Sequence, residues 1–281
     1  MLRALLAVGL AFTAPGCWAF VPMPEEPLSF GTTNGGGLHQ GASLPDRGEG
    51  FVRARPGEST RYGTPELVAA IERATAEVAR RFPGSAPMRV GDLSGPGGGR
   101  HPRHGSHRTG RDVDLIFYVT DAAGRSRLGR GWLAYNRFGY ATERELAEGE
   151  GTPSGELFFF DEARNWWLVR TLLLDDEAAV QWIFVSRGVK SLLLRYAIAH
   201  EEDPRALVRA AYVLQEPSNA SPHDDHLHVR IYCPPRQLAH GCVNRGPIWP
   251  WLRHLVEKPP AVPGEAITDE VLAREIAAPI E

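Results

Sequence analysis

An α+β fold is predicted, a single domain whose small antiparallel central sheet carries a metal site and is flanked by helices and long loops. Three observations predict it. Helical and strand patterns are interleaved with no regular βαβ repeat and no self-similar period. Two histidine-rich segments, residues 103–117 and 221–231, each run into a stretch in which every second residue is apolar. Thirty Gly and 23 Pro require much loop, while a 43% hydrophobic composition with 7 Trp supplies a core.

In chain order, residues 22–60 lack periodicity and read as a tether passing into extended loops. The glycines at 35–37 are not a phosphate loop, because no Gly-Lys-Ser/Thr follows. Thr64 caps a helix with Pro65 at its first position and Leu67, Ile71, Ala74 and Val78 along one stripe, ending near residues 81–84. Met88 to Leu93 is a short strand, and Gly95 to Gly99 lead into the first histidines. Val113, Leu115 and Phe117 share one strand face, with Asp112 and Asp114 on the other. Residues 131–155 read mostly as loop, with a short helical turn near 142–148, and Leu157 to Phe160 as a strand. Helices follow over residues 161–174, 188–200 and from Asp203-Pro204 to Leu214, with a strand at Gln181 to Val185 between the first two. In the second histidine segment His226 and His228 share one face, and Leu227, Val229 and Ile231 the other. A terminal helix over 268–276 is compatible with the tail.

Residues 1–16 form an export signal: a short basic start, an apolar run too short for a membrane span, then Pro15-Gly16-Cys17. The same residues resemble a degenerate lipoprotein signal with Cys17 as the lipidated residue and Pro15 as the departure, so outer-membrane anchoring stands beside a free periplasmic form. The divisions expected are a leader over 1–16, a tether over 17–35, the domain over 36–255 and a weakly structured tail over 256–281. Cys233 and Cys242 then remain, most simply as a disulfide stabilising by about 2 to 3 kcal/mol. A formal charge of −3 gives no support for nucleic acid as a partner.

Six of the ten histidines, His101, His104, His107, His223, His226 and His228, fall in or just before the two short segments. A tetrahedral zinc needs about four ligands, one position staying open in a catalytic site. His107, Asp114 and His228 are the candidate protein ligands; His226 is either a further ligand or a neighbour of the reacting water, and Asp112 competes with Asp114. A structural metal clip and a copper or nickel binder are the rival readings, the first disfavoured by the scarcity of cysteine. No Gly-x-Ser-x-Gly elbow and no His-Glu-x-x-His helix is present, and the adjacent Asp224 and Asp225 point opposite ways on a strand, so they support an imidazole rather than flank a glycosidic bond.

Residues 105–114, Gly-Ser-His-Arg-Thr-Gly-Arg-Asp-Val-Asp, and 224–230, Asp-Asp-His-Leu-His-Val-Arg, resemble the two signature blocks of the penicillin-insensitive murein endopeptidases, zinc enzymes within the lysostaphin and D-Ala-D-Ala metallopeptidase group. The resemblance runs on through Arg61-Tyr-Gly63, residues 90–94, Arg164-Asn-Trp166 and residues 181–186. It implies one catalytic Zn²⁺ on His107, Asp114 and His228, His226 as a catalytic residue near the water, and His104 and His223 lining the site. It also implies an exported endopeptidase that cuts D-alanyl to meso-diaminopimelyl crosslinks between peptidoglycan stem peptides. The alternatives are a DD- or LD-carboxypeptidase and a zinc-containing peptidoglycan-binding protein without turnover. Arg108 and Arg111 depart from the family's usual glutamine and apolar residue, adding charge that would bear on how the anionic stem peptide is held.

Overall fold

The strand formed by Asp112–Ile116 sets the architecture, because it is polar on one face, apolar on the other and buried at all five positions. In the computed structural model, which describes residues 25–142, 155–218 and 220–256, it lies at the middle of a seven-stranded sheet. We number that sheet in chain order: β1 Arg47–Gly48, β2 Phe51–Arg53, β3 Met88–Val90, β4 Asp112–Ile116, β5 Val180–Phe184, β6 Leu214–Gln215 and β7 His226–Ile231. The spatial order is β6-β5-β7-β4-β3-β2-β1.

This corrects the expectation of a small antiparallel sheet. The sheet is large and mixed: β5 pairs with β6, and β2 with β3, in parallel, while the other pairs are antiparallel. Parallel neighbours need a crossover, usually a helix. Helix α1 (Pro65–Arg81) makes the one between β2 and β3; α3 (Arg187–Ala199) and α4 (Pro204–Val213) make the one between β5 and β6. The edge strands are two or three residues long and carry too little pattern to be read before folding.

Each helix begins where the sequence offers a cap. Thr64, Asp161, Ser186 and Asp203 accept backbone N–H groups at the starts of α1, α2 (Glu162–Leu174), α3 and α4, and Pro65 and Pro204 occupy first-turn positions where no donor is needed. The apolar stripes of all four helices and the residues Val113, Leu115, Ile183, Leu227 and Val229 form one core. The helices therefore cover one face of the sheet and leave the other for polar side chains. Buried Asn165 on α2 accepts from the Tyr118 N–H at 3.0 Å and donates to its carbonyl at 2.8 Å, and Arg164 donates to the Val119 carbonyl at 2.8 Å. Together they fix the chain as it leaves β4.

A hairpin of Leu28–Thr32 and Gly35–His39 lies over the loop that carries the first histidines. Leu38 donates to the Gly97 carbonyl and Arg108 to that of Thr33. Gly98, at φ +66°, is where backbones meet: an added Cβ would collide with the Arg108 carbonyl oxygen and the Leu38 nitrogen. A second small sheet joins residues 119–120, 126–127, 140–142 and 157–160, so Leu157–Phe160 is the expected strand. The Cys233–Cys242 disulfide is formed, with Cα atoms 5.9 Å apart. No helix among the described residues is long and apolar enough to cross a membrane. The leader with Cys17, most of the expected helical turn at 142–148 and the tail helix at 268–276 lie outside the described residues.

Candidate metal centre and active site

Cross-strand register joins the two histidine segments. β7 pairs antiparallel with β4 so that His228 stands opposite Asp114, Arg230 opposite Asp112 and His226 opposite Ile116. With period-2 alternation the polar residues of both strands emerge on the face the helices leave free. His107 comes from the loop before β4. Its backbone sits at φ +59°, an unusual conformation for a side chain of this size, and its N–H donates to Asp112 Oδ2 at 3.1 Å.

Three atoms then converge. His107 Nε2 lies 3.3 Å from Asp114 Oδ1, His228 Nδ1 lies 3.2 Å from the same oxygen, and the two nitrogens are 3.3 Å apart. Zinc bonds of roughly 2.0 to 2.1 Å in a tetrahedron space the ligand atoms about 3.3 to 3.4 Å apart, so the triangle fits that ion. The Asp114 carboxylate is fully buried and neither oxygen accepts a hydrogen bond. An anion left so exposed to its own charge in the interior calls for a cation. His228 reaches the triangle through Nδ1 because its Nε2 is directed to Asp112 Oδ1 at 3.2 Å, and Asp112 is itself held by Arg230 Nε at 2.6 Å.

His226 adjoins the triangle, its Nε2 3.3 Å from Asp114 Oδ1 and its Nδ1 2.5 Å from Asp225 Oδ1. Burial opposes a charge on this imidazole, but the carboxylates of Asp114 and Asp225 prevail and raise its pKa to about 10. Of the two adjacent aspartates, Asp225 is the one on the imidazole.

His104 Nε2 is 3.0 Å from Asp92 Oδ2 and 3.3 Å from Asp114 Oδ2. Its ring lies against those of His107 and His101, at 4.4 and 4.8 Å between centroids. The buried His101 uses Nδ1 to accept the N–H groups of Arg103 and His104 and so shapes the loop. Its pKa falls to about 4, chiefly through burial and then through the neighbouring His107 and His104. His223 lies 4.8 Å from His226 and 5.4 Å from His228 between ring centroids, with burial first and those two histidines next holding its pKa down near 4. All the expected residues, His104, His107, Asp114, His223, His226 and His228, are thus brought together.

Three others were not singled out by sequence. Asp92, at the end of β3, is buried and binds Thr60, Arg103 and His104; burial resists its ionisation, yet those bonds hold its carboxyl well below the usual range. It sits two residues past β3 and outside both histidine segments, so its role shows only once the loop carrying Arg103 and His104 folds over it. Trp132 meets His226 edge-on at 5.1 Å and packs on Gly91, where a Cβ would come within 2.8 Å of the indole; a lone tryptophan in loop sequence carried no such signal. Phe184, opposite His228, has its ring 5.6 Å from that imidazole.

A cleft of about 1240 Å³ opens onto these groups, with Trp182, Phe184, Glu216 and Arg230 on its walls beside His104, His223, His226 and His228. The added charges at 108 and 111 do not line it. Arg111 is instead buried and donates to Asn244 Oδ1 and the Gly31 and Val243 carbonyls, tying the disulfide segment to the strand that carries Asp112.

The family model described as penicillin-insensitive murein endopeptidase matches residues 29–250. Proteins of that name from Pectobacterium atrosepticum and Haemophilus influenzae are 27% and 26% identical over 248 and 266 residues, covering 83% and 88% of this chain and 77% and 82% of theirs. One from Escherichia coli O157:H7 is 32% identical over 121 residues, 42% of this chain and 43% of its own. The match spans both histidine segments and every strand of the large sheet, and on it the chain belongs to the penicillin-insensitive murein endopeptidase family.

Proposed function

We propose that this zinc-dependent murein endopeptidase hydrolyses the D-alanyl to meso-diaminopimelyl crosslink between peptidoglycan stem peptides, in the periplasm, with one Zn²⁺ held by His107, Asp114 and His228. The observation that carries the reading is the triangle of His107 Nε2, Asp114 Oδ1 and His228 Nδ1 at 3.2 to 3.3 Å, with a carboxylate-backed imidazole beside it. When bound, zinc supplies a Lewis acid that polarises the scissile carbonyl and brings water toward ionisation near neutral pH.

The chain's own groups do the rest. His226 takes the proton from the attacking water at Nε2 and passes it to the leaving amine, while Asp225 fixes the ring through Nδ1 and steadies its charge. Once Asp114 is committed to a cation, its pull on His226 weakens, and Asp225 is left to set the proton affinity of the ring. His104, oriented by Asp92, and His223 line the same cleft and would stabilise charge developing on the carbonyl oxygen. Trp132 packs edge-on against one side of the His226 ring and helps hold it in place. A serine nucleophile has no part in this scheme, so penicillin has nothing to acylate.

Digestion of purified crosslinked muropeptide dimers tests the reading. Two monomers are expected, with product lost on chelation and restored by zinc. Loss of one terminal residue from uncrosslinked stems would make the protein a carboxypeptidase, and binding of dimers without products would make it a non-catalytic wall-binding protein.

A further inference from the structure

Two arginines face the cleft, and their hydrogen bonds differ. Arg103 spends Nε and Nη2 on Asp92, Glu58 and Thr60. Arg230 spends only Nε, on Asp112 at 2.6 Å. Its guanidinium lies over the Phe184 ring at 5.4 Å, and its side chain is 16% exposed. Neither terminal nitrogen has a partner among the described residues. Held at Nε and along one face, the group presents a pair of parallel donors whose direction is already fixed. Such a fork matches a carboxylate, and little side-chain freedom remains to be lost when one binds.

Its position narrows which carboxylate. Arg230 follows ligand His228 by two residues on the same strand face, a spacing of about 6.6 to 6.8 Å. A carbonyl oxygen at the metal, followed by the scissile C–N bond and the next carbon, places a carboxylate on that carbon roughly 5 to 6 Å from the metal. A charge-assisted hydrogen bond adds about 2.8 Å. Arg230, lining the same cleft two residues beyond His228 on one strand face, offers a donor pair on that scale.

We propose that Arg230 is a specificity-determining residue that binds a substrate carboxylate borne on the carbon next to the scissile nitrogen, on the leaving-amine side. The inference rests on the peptidase reading of the same site. Phe184 lies beneath the guanidinium, and Asp112 joins the carboxylate-binding group to His228, so substrate recognition and metal ligation share one buried anion. Substrates whose carboxyl at this position is a carboxamide lose the paired interaction, and the enzyme should discriminate against them.

The test compares crosslinked dimers carrying a free carboxyl at that carbon with dimers amidated there, using the wild-type protein, Arg230→Gln and Arg230→Lys, each checked for zinc content and melting temperature. Wild type is expected to favour the free acid by roughly 10- to 100-fold in kcat/KM. Arg230→Gln should lose that factor on the acid substrate and show no preference; Arg230→Lys, which keeps the charge beside Asp112 but not the fork, should fall between. A preference that survives intact in Arg230→Gln overturns the inference. Equilibrium binding of the same two dimers to His226→Ala protein, with and without Arg230→Gln, separates it from the reading beneath. If wild type cleaves neither dimer but the binding preference for the acid depends on Arg230, the endopeptidase reading fails and the carboxylate site stands. Without cleavage and without an Arg230-dependent preference in binding, both fail.

Discussion

At the scale of residues, the site divides polar side chains by what their second atom touches. His228 and His226 both approach Asp114, but His228 is backed by the fully buried Asp112 and His226 by the half-buried Asp225 at the cleft wall. An imidazole backed by a buried anion suits a metal ligand, and one at the cleft suits proton transfer. Replacing Asp114 with Ala should therefore release zinc, read by metal analysis after gel filtration. Replacing Asp225 with Asn should leave zinc in place and lower kcat roughly 10- to 100-fold, seen in muropeptide digestion at saturating substrate. These residues were legible because histidine and aspartate are uncommon on strand faces otherwise apolar, and their alternation places them on one side. Asp92 and Trp132 were not, since their role depends on loops that meet the site only after folding.

At the scale of elements, strand register and loop support decide the geometry. The pairing of His228 with Asp114 follows from two strands each apolar on one face, because a slip of one residue would bury the histidines and expose Leu227 and Val229. That much was readable, as were all four long helices, from caps and stripes. The parallel pairs were not: they arise from strands of two to five residues whose partners are fixed by where α1, α3 and α4 return the chain. Nor was the hairpin of residues 28–39, whose glycines read as tether yet pack on the histidine loop. Gly98→Ala should show that support. The residue must keep φ +66° and push against the Arg108 carbonyl, so a loss of about 2 kcal/mol or more is expected in denaturant unfolding, together with weaker zinc retention because His107 lies in the displaced loop. Removing the Cys233–Cys242 bridge by paired Ser substitutions should lower stability by about 2 to 3 kcal/mol, and it should loosen the Arg111 contacts with residues 243 and 244.

At the scale of the whole molecule, one sheet separates two environments, an apolar face under the helices and a charged face that gathers Asp92, Asp112 and Asp114. Asp92 and Asp112 are buried yet held ionised, Asp92 by Arg103, His104 and Thr60, Asp112 by Arg230 and His228. Their pKa values lie below those of the unfolded chain. The stability they contribute is thus present above about pH 4 and is lost as pH falls through the folded values. Metal-free protein should keep a steady contribution from these groups above that pH and destabilise below it, and Arg103→Ala should begin its acid unfolding at higher pH, as measured by circular dichroism. The α+β class and the metal-bearing face followed from the alternating patterns; the size of the sheet did not, because short edge strands add area without adding periodicity.

In the proposed site two imidazoles and one carboxylate, His107, His228 and Asp114, hold the zinc while His226 stands outside its ligand set. X-ray absorption at the zinc edge, taken on wild type and on His226→Ala, tests it most directly. Two imidazole ligands are expected in both spectra, with no change on substitution. A third imidazole in the wild type that disappears in His226→Ala would contradict it.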